Sequence, residues 1–413
     1  MISSRAQRVF KEYPRQFWLM FVGMLISTIG SSMIWPFWLV YISDKLDTPM
    51  TVAASLFTLN SFLGLTSSFI GGPIIDRLGR KWIMIASLGI NGLAYIFLGN
   101  ANTFFQFAIL LGITGSVNPL YRVGADAMMA DILPPEKRID GYALFRLSNN
   151  LGIAIGPAIG GFIAASSFTL AFYLAAFGMI TYCILLILFA RETLPSKTNM
   201  DRDERNLKKA PREKLGGYLP IIKDYPYISF ISSFTLVSMC ASLIWVLLPV
   251  HATENYAVPM QKYGFIPTTN AIMVVTLQLF ITRITKRYPT LSVVTVGAFF
   301  YMLAVGLVSI MNGFWGFWIC MVIMTIGELI IVPTSSTYVA NRAPVDKRGR
   351  YMSLYALTWG VASGIAPVLG GFLNDSYGPT AIWIGGGIIG LLSVIAFSTL
   401  DKRSRNQLAT GTS

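Results

Sequence analysis

The stretch ADILPPEKR, Ala130 to Arg138, returns 210 residues later as ANRAPVDKR, Ala340 to Arg348, without a gap. The same offset places GPAIGGF (Gly156 to Phe162) on APVLGGF (Ala366 to Phe372). Agreement at so many positions with a single offset indicates an internal repeat rather than low-complexity coincidence. The chain is therefore predicted to contain two parallel copies of one structural unit.

The composition places both copies in a membrane. Of the 413 residues, 54% are hydrophobic and only 12% are charged, whereas a soluble domain has about a quarter charged residues. Charge-free runs such as Phe17 to Ser43 and Leu147 to Ala190 reach or exceed the roughly 20 residues that cross a bilayer as a helix. Twelve spans are predicted, near residues 16–43, 50–73, 82–99, 104–130, 140–164, 169–190, 226–252, 264–282, 290–311, 314–339, 351–373 and 378–400.

A polar segment separates the two copies. Residues 192–217, ETLPSKTNMDRDERNLKKAPREKLGG, have no apolar run long enough to span and are predicted to form a cytoplasmic linker. The predicted domains are thus residues 1–191, a first six-helix bundle, and residues 218–413, a second bundle with a short cytoplasmic tail.

The basic residues indicate the orientation. Lys45 and Lys262 fall in predicted outer loops and Arg122 and Arg146 fall within spans, whereas all other Lys and Arg residues fall in predicted inner segments. This bias follows the positive-inside rule and predicts a cell-membrane protein with both termini cytoplasmic. The net charge of +13 is then explained by topology and by contact with membrane lipids, and no nucleic-acid partner is predicted.

A charged loop follows the second span. The stretch GGPIIDRLGRKWIM, Gly71 to Met84, allows a tight turn at Gly79, and Asp76 can meet an arginine or the positive start of a helix. This pattern, its place between spans 2 and 3, the twelve spans and the repeat together resemble the major facilitator superfamily over essentially the full length. The pattern residues are Gly72, Asp76, Arg77, Gly79, Arg80 and Lys81.

The resemblance implies an all-α membrane protein with twelve transmembrane helices in two pseudo-symmetric six-helix halves, working by alternating access. It also implies that the charged loop is a cytoplasmic gate in which Asp76 meets the start of span 11. Asp131 is a second expected member, pairing with Arg77 or Arg80. Only the first half has this acidic gate residue, because the position that matches Asp76 in the second half is Lys286. The alternative is that these charges only anchor the loop and set topology.

Span 5 carries a face of small residues broken by a proline, which permits close helix packing. Its residues resemble the motif of drug:proton antiporters and are Gly152, Gly156, Pro157, Gly160 and Gly161. The chain departs from that group at Ala143, where a glycine is usual, and in residues 107–112, FAILLG, which lack the usual arginine. Generic packing without a preference for export is the alternative.

Ionisable residues inside spans are functional candidates because burying a charge in a bilayer costs several kcal/mol. Glu328 lies near the predicted midplane of span 10, corresponds to Asn118 in the repeat, and is the leading proton-binding or cation-binding group. A structural role as a hydrogen-bond acceptor is its alternative. Arg122 and Asp126 share one face of span 4, where a local ion pair or a gate role would explain them, and Arg146 is predicted to snorkel or pair with a span 4 carboxylate.

Four tryptophans lie on spans that line the cavity in the family that the chain resembles, with helix packing or lipid contact as the alternative: Trp35, Trp38, Trp245 and Trp359. No nucleotide-binding loop, metal cluster or Ser/His/Asp array is visible in the sequence, so no cofactor and no enzymatic activity are predicted.

These features predict a proton-coupled exporter of drug-like or amphipathic small molecules, and the resemblance implies a monomer. One alternative is a proton-coupled carrier of a defined sugar or organic anion. Another is a non-transporting receptor or a lipid scramblase on the same fold. Its expected partners are a small-molecule substrate, protons and membrane lipids.

Overall fold

The computed structural model describes residues 12–194, 219–344 and 347–410. Within these ranges the chain is helical, without strands, and twelve helical segments are long and apolar enough to cross a membrane, which confirms the predicted fold class. The helices are α1 (Arg15–Ile34), α2 (Met50–Leu78), α3 (Arg80–Leu98), α4 (Phe104–Ile132), α5 (Pro135–Ser166), α6 (Phe168–Phe189), α7 (Tyr225–Val250), α8 (Phe265–Thr285), α9 (Thr290–Val308), α10 (Gly313–Arg342), α11 (Arg348–Tyr377) and α12 (Pro379–Thr410).

Turn and capping residues set several helix ends. Thr103 and Gln106 form a capping box at the start of α4, and the Ser167 side chain accepts a hydrogen bond from Leu170 N–H at the start of α6. Gly79 adopts φ 97° between α2 and α3, a conformation that a residue with a Cβ rarely adopts. Pro36 lies in a 3-10 turn, Trp35–Phe37, that interrupts the first span before it continues to Leu46. We call the end where odd-numbered helices begin the inner end, after the predicted orientation, and the opposite end the outer end.

The chain divides into two compact units. Unit 1 comprises Met1–Trp35 and Leu63–Lys214, and unit 2 comprises Pro36–Phe62 and Leu215–Ser413. The units therefore follow packing rather than chain order, because the outer part of α2 is grouped with the second set of helices. The division at residues 192–217 stays a prediction, since most of that segment lies outside the described residues.

Each unit shows the same helix pairing. In unit 1, α1 packs against α5 and α6, and α3 packs against α4 and α6. In unit 2, α7 packs against α11 and α12, and α9 packs against α10 and α12. Because α7 corresponds to α1 and α9 to α3 in the repeat, one packing pattern occurs twice along the chain.

Candidate functional site

The carboxylate of Glu328 lies within unit 2 on α10 and is half-buried. Its Oε2 atom accepts a hydrogen bond from Asn270 Nδ2 on α8 at 2.8 Å. The same amide donates to Thr325 Oγ1 at 2.9 Å, and the Thr325 hydroxyl donates to Met321 O at 2.7 Å. Asn270 is 5% exposed and Thr325 is fully buried. An acidic group is therefore held by an amide that is itself fixed by a buried hydroxyl.

Glycines fix the helix that carries this acid. A Cβ added at Gly327 would lie 2.9 Å from Gly297 O and 3.0 Å from a ring carbon of Tyr301, so α10 meets α9 almost backbone to backbone. Gly327 directly precedes Glu328, and this close approach fixes the turn from which the acid projects. Thr325 is three residues before Glu328 and thus on a neighbouring part of the same helix surface, where both meet Asn270.

Four further predicted site residues lie in unit 1. Asn118, Arg122 and Asp126 are exposed on α4, and the Arg122 charge acts on the Asp126 carboxylate. The backbone carbonyl of Asp126 accepts a hydrogen bond from the Tyr142 hydroxyl on α5 at 2.7 Å. Arg146 is exposed on α5. The structure thus assigns these residues to unit 1 and the Glu328 cluster to unit 2, and their role in binding stays a prediction.

The four tryptophans differ in their exposure. Trp38 is 7% exposed, and its ring centroid lies 6.2 Å from that of Phe57, an arrangement that favours the packing alternative. Trp245 is half-buried in α7. Trp35 and Trp359 are exposed, with 38% and 46% of their surface accessible. The role of these rings in a cavity stays a prediction.

The small residues of α5 form a close seam with α1 in unit 1. A Cβ at Gly152 would lie 2.6 Å from Thr28 Cβ, one at Gly156 would lie 2.8 Å from Ile29 O, and one at Gly160 would lie 2.6 Å from Met33 Cα. Pro157 and Gly161 are buried in the same helix. A hydrogen bond also joins the two helices, since Ser32 Oγ on α1 donates to Gly152 O at 2.9 Å. The structure thus shows the close packing that these small residues permit, and their link to export stays a prediction.

The charged loop forms a compact cluster at the inner end of unit 1. Arg80 Nε lies 3.1 Å from Asp131 Oδ2, so Arg80 is the partner that Asp131 contacts. The Glu192 carboxylate accepts hydrogen bonds from Arg80 N–H at 3.0 Å and Lys81 N–H at 3.1 Å, and so caps the start of α3. A Cβ at Gly79 would also meet this carboxylate, and the Glu192 side chain would then have to shift.

The surroundings of two residues of the predicted gate lie outside what the structure describes. They are Gly72 and Asp76, which both lie in α2. Arg77, the next residue of the pattern, is exposed. The expected contact between Asp76 and the start of α11 stays a prediction.

A comparable cluster holds the inner end of unit 2. Asp224 caps α7 by accepting from Tyr227 N–H at 3.3 Å, and the Arg342 guanidinium contacts the same carboxylate at 2.6 Å. The Tyr351 hydroxyl donates to Asp224 Oδ2 at 3.0 Å. Burial alone would raise the pKa of Asp224, but the hydrogen bonds from Arg342 and Tyr351, the Arg342 charge and the Tyr227 N–H together lower it.

Comparison with known proteins agrees with this architecture. The profile of the Major Facilitator Superfamily matches residues 20–240 and 230–412. The chain belongs to the major facilitator superfamily. It is therefore a multi-pass transporter of the cell membrane and not an enzyme.

The relatives within this superfamily have different activities. A protein of Planococcus maritimus described as a Na(+), Li(+), K(+)/H(+) antiporter is 24% identical over 95% of this chain and 98% of its own length. The quinolone resistance protein NorA of Staphylococcus aureus (strain MSSA476) is 21% identical over 95% of this chain and 98% of its own. The nucleoside transporter NupG superposes with a TM-score of 0.77 at 12% identity, covering 94% of this chain and 100% of the other, which shows the fold alone.

Sequence reasoning missed several members of these clusters. The only sequence signal at Asn270 is that it matches Asn60 at the repeat offset, and Thr325 carries no signal because threonine is common in apolar helices. Glu192 lay at the start of a segment interpreted as linker. Asp224 did carry a signal, since an aspartate directly before Tyr225 and Pro226 is typical of a helix start.

Proposed function

We propose that this major facilitator exports drug-like or amphipathic small molecules in exchange for protons, with Glu328 as the proton-binding group. The observation that carries the proposal is the hydrogen-bonded cluster of Glu328, Asn270 and Thr325 within the apolar α8 and α10. The similarity to a quinolone resistance protein over nearly the whole chain supports the substrate class. The transporter is proposed to work as a monomer with both termini in the cytoplasm.

The chemistry of exchange follows from the surroundings of the carboxylate. A half-buried carboxylate bonded to a neutral amide is stabilised when it takes up a cation, and a proton or the cationic group of a substrate can fill that need. Since one carboxylate cannot hold both at once, uptake of one favours release of the other. Alternating exposure to the two sides of the membrane then couples inward proton flow to outward substrate flow.

The test is ethidium efflux from energised cells that express the wild type, Glu328→Gln or Asp401→Asn, with and without a protonophore. Asp401 is a matched control because its carboxylate accepts from Ser292 and Arg405 at the inner end of α12, away from the cluster. We expect efflux that the protonophore stops, that Glu328→Gln abolishes and that Asp401→Asn retains. Efflux by a well-expressed Glu328→Gln at the wild-type rate would contradict the role of Glu328.

A second candidate function is exchange of alkali cations for protons. The Planococcus maritimus relative favours it, as do the oxygen atoms of Glu328 and Thr325 on either side of the Asn270 amide. Everted vesicles loaded with a pH-sensitive dye distinguish the two functions. Alkalinisation on addition of Na+, Li+ or K+, without ethidium transport, would establish cation exchange. Inactivity in both assays would favour a carrier of an anionic metabolite, for which the exposed Arg122 and Arg146 are suited.

A further inference from the structure

The start of α2 and the end of α11 meet at the outer end of unit 2. Asp375 Oδ1 accepts a hydrogen bond from Met50 N–H at 3.1 Å, and its Oδ2 accepts from Thr51 N–H at 2.9 Å. The Thr51 hydroxyl donates to the same Oδ2 at 2.6 Å, and Asn374 Nδ2 donates to Oδ1 at 3.2 Å. The first N–H groups of a helix lack partners within it and carry partial positive charge. The carboxylate of α11 therefore caps α2 from another helix.

Small residues continue this contact along α2. A Cβ at Gly371 would lie 2.8 Å from Thr51 Cα, so only glycine allows the backbones to approach this closely. Deeper along the helix, the Thr58 hydroxyl donates to Gly364 O, and Ser61 Oγ lies 3.4 Å from Ser363 Oγ. One face of α2 is thus joined to α11 through polar contacts and close backbone packing over about three helical turns.

From this arrangement we infer that Asp375 is the carboxylate of an outer gate, whose bonds to the start of α2 break each time the outer end of the transporter opens. The inference rests on the proposed alternating-access function. By sequence order α2 belongs to the first repeat and α11 to the second, so movement of one repeat against the other has to separate these contacts.

The chemistry of the contact suits a gate that opens repeatedly. The carboxylate and its N–H partners lie at helix ends next to water, so water replaces each lost hydrogen bond when they separate. The hydrogen bonds described deeper in the contact involve the short, uncharged side chains of Thr58, Ser61 and Ser363. The contact is therefore specific when closed and readily reversible.

The arrangement mirrors the gate that the sequence predicts at the inner end. There Asp76, near the end of α2, is expected to cap the start of α11. At the outer end Asp375, near the end of α11, caps the start of α2. The predicted inner contact and the observed outer contact thus involve the same two helices.

The experiment measures how easily the outer contact opens. Ser363→Cys, half-buried beneath the Asp375 contact, is the probe, and the three native cysteines are buried free thiols. Whole cells are treated with a membrane-impermeant maleimide, and the labelling rate is compared between Ser363→Cys alone and the same chain with Asp375→Asn. Loss of a helix cap of this kind predicts labelling about fivefold faster.

Thr51→Val tests the contact from the other partner. It removes the hydroxyl donor but keeps the carboxylate and the backbone donors, so we expect a smaller increase in labelling, about twofold. Asp47→Asn is the matched control, since it removes an exposed outer carboxylate three residues before Met50 at a position with φ 45°, which asparagine tolerates. We expect it to label at the parent rate.

An unchanged labelling rate in a well-expressed Asp375→Asn chain would overturn the gate. The gate would also be overturned if Asp47→Asn raised the labelling rate as much as Asp375→Asn does, because both increases would then reflect a general effect of surface charge on the reagent. The assay needs no substrate. Faster labelling of Asp375→Asn in a chain that transports neither ethidium nor alkali cations would leave the gate standing while the proposed function fails. Active proton-coupled efflux together with an unchanged labelling rate would support the proposed function and overturn the gate.

Discussion

Asn118 and Glu328 occupy the same position in the two repeats, yet they differ in charge and surroundings. Glu328 is half-buried and bonded to Asn270, whereas Asn118 is exposed on α4. Asn60 and Asn270 also correspond, so one repeat carries two amides where the other carries an amide and a carboxylate. The helix pairing of the two units is nevertheless the same. Duplication has thus conserved the scaffold, while only the second copy has a carboxylate at this pair of matched positions.

The largest expected effect comes from making the second repeat like the first. Glu328→Asn removes the ionisable group and keeps a polar side chain, so gradient-driven efflux should fall to the level of cells without the transporter. Adding Asn118→Glu should not restore it, because position 118 is exposed. Efflux assays on both variants, with expression checked by immunoblot, decide this. Recovery in the double variant would show that the two positions are interchangeable.

A smaller effect is expected at the amide that holds the acid. Asn270→Leu removes the amide that donates to both Glu328 Oε2 and Thr325 Oγ1. Because the Glu328 carboxylate itself is kept, we expect the efflux rate to fall severalfold and not to zero. The matched variant in the other repeat is Asn60→Leu, for which we expect a smaller loss. Equal losses in initial-rate efflux measurements would contradict a special role for Asn270.

The close packing of α5 in the first repeat and of α11 in the second allows the two repeats to be compared by their effect on the free energy of unfolding. Gly156 corresponds to Ala366, which is fully buried, so the second repeat accommodates a methyl group where the first does not. Gly156→Val should reduce the free energy of unfolding by about 2 kcal/mol, because its Cβ would collide with Ser32 Oγ on α1. Thermal unfolding in detergent micelles measures the loss. Ile155→Val on the exposed face of α5 is the control and should remain near the wild type.

The smallest effect is expected at the inner clusters. Asp224→Asn should reduce the free energy of unfolding by about 1 kcal/mol at pH 7, because the Arg342 contact loses its charge partner. Since the pKa of Asp224 is lowered in the folded state, its contribution is complete above its ordinary pKa of 3.8. The contribution disappears as the pH falls through the lowered value.

Chemical denaturation of both proteins across this pH range measures the difference. A gap between the two proteins that persists unchanged below the folded-state pKa would contradict the assignment. Asp131→Asn is the comparison in unit 1, where Arg80 is the partner.

The sequence predicted the scaffold well because the bilayer and the repeat leave strong marks. Apolar runs of sufficient length located all twelve helices, although hydropathy marks the part inside the membrane and not the helix end. For this reason α5 begins at Pro135 rather than 140, and α12 continues to Thr410. Glu328 stood out because an acid within an apolar run is costly unless it has a function.

The partners of the functional residues were not predictable in the same way. Asn270 and Thr325 act through positions on two helices that meet only in the folded unit. Glu192 and Asp375 lie at span ends, where acids are common and most are merely solvated, so only the distance to another helix distinguishes them. Pairing across helices is tertiary information, and one sequence contains little of it beyond the repeat.

Unit 2 is assembled from two separate pieces of chain, and this sets the order in which the protein is completed during synthesis. Residues 36–62 leave the ribosome early, whereas α11, which supplies Asp375, emerges near the end of translation. Until then the N–H groups of Met50 and Thr51 lack the carboxylate that accepts from them in the folded unit. The outer end of α2 is therefore among the last parts of the early chain to reach its final contacts. A chain that stops before α11 has no Asp375, and the start of its α2 stays without this cap.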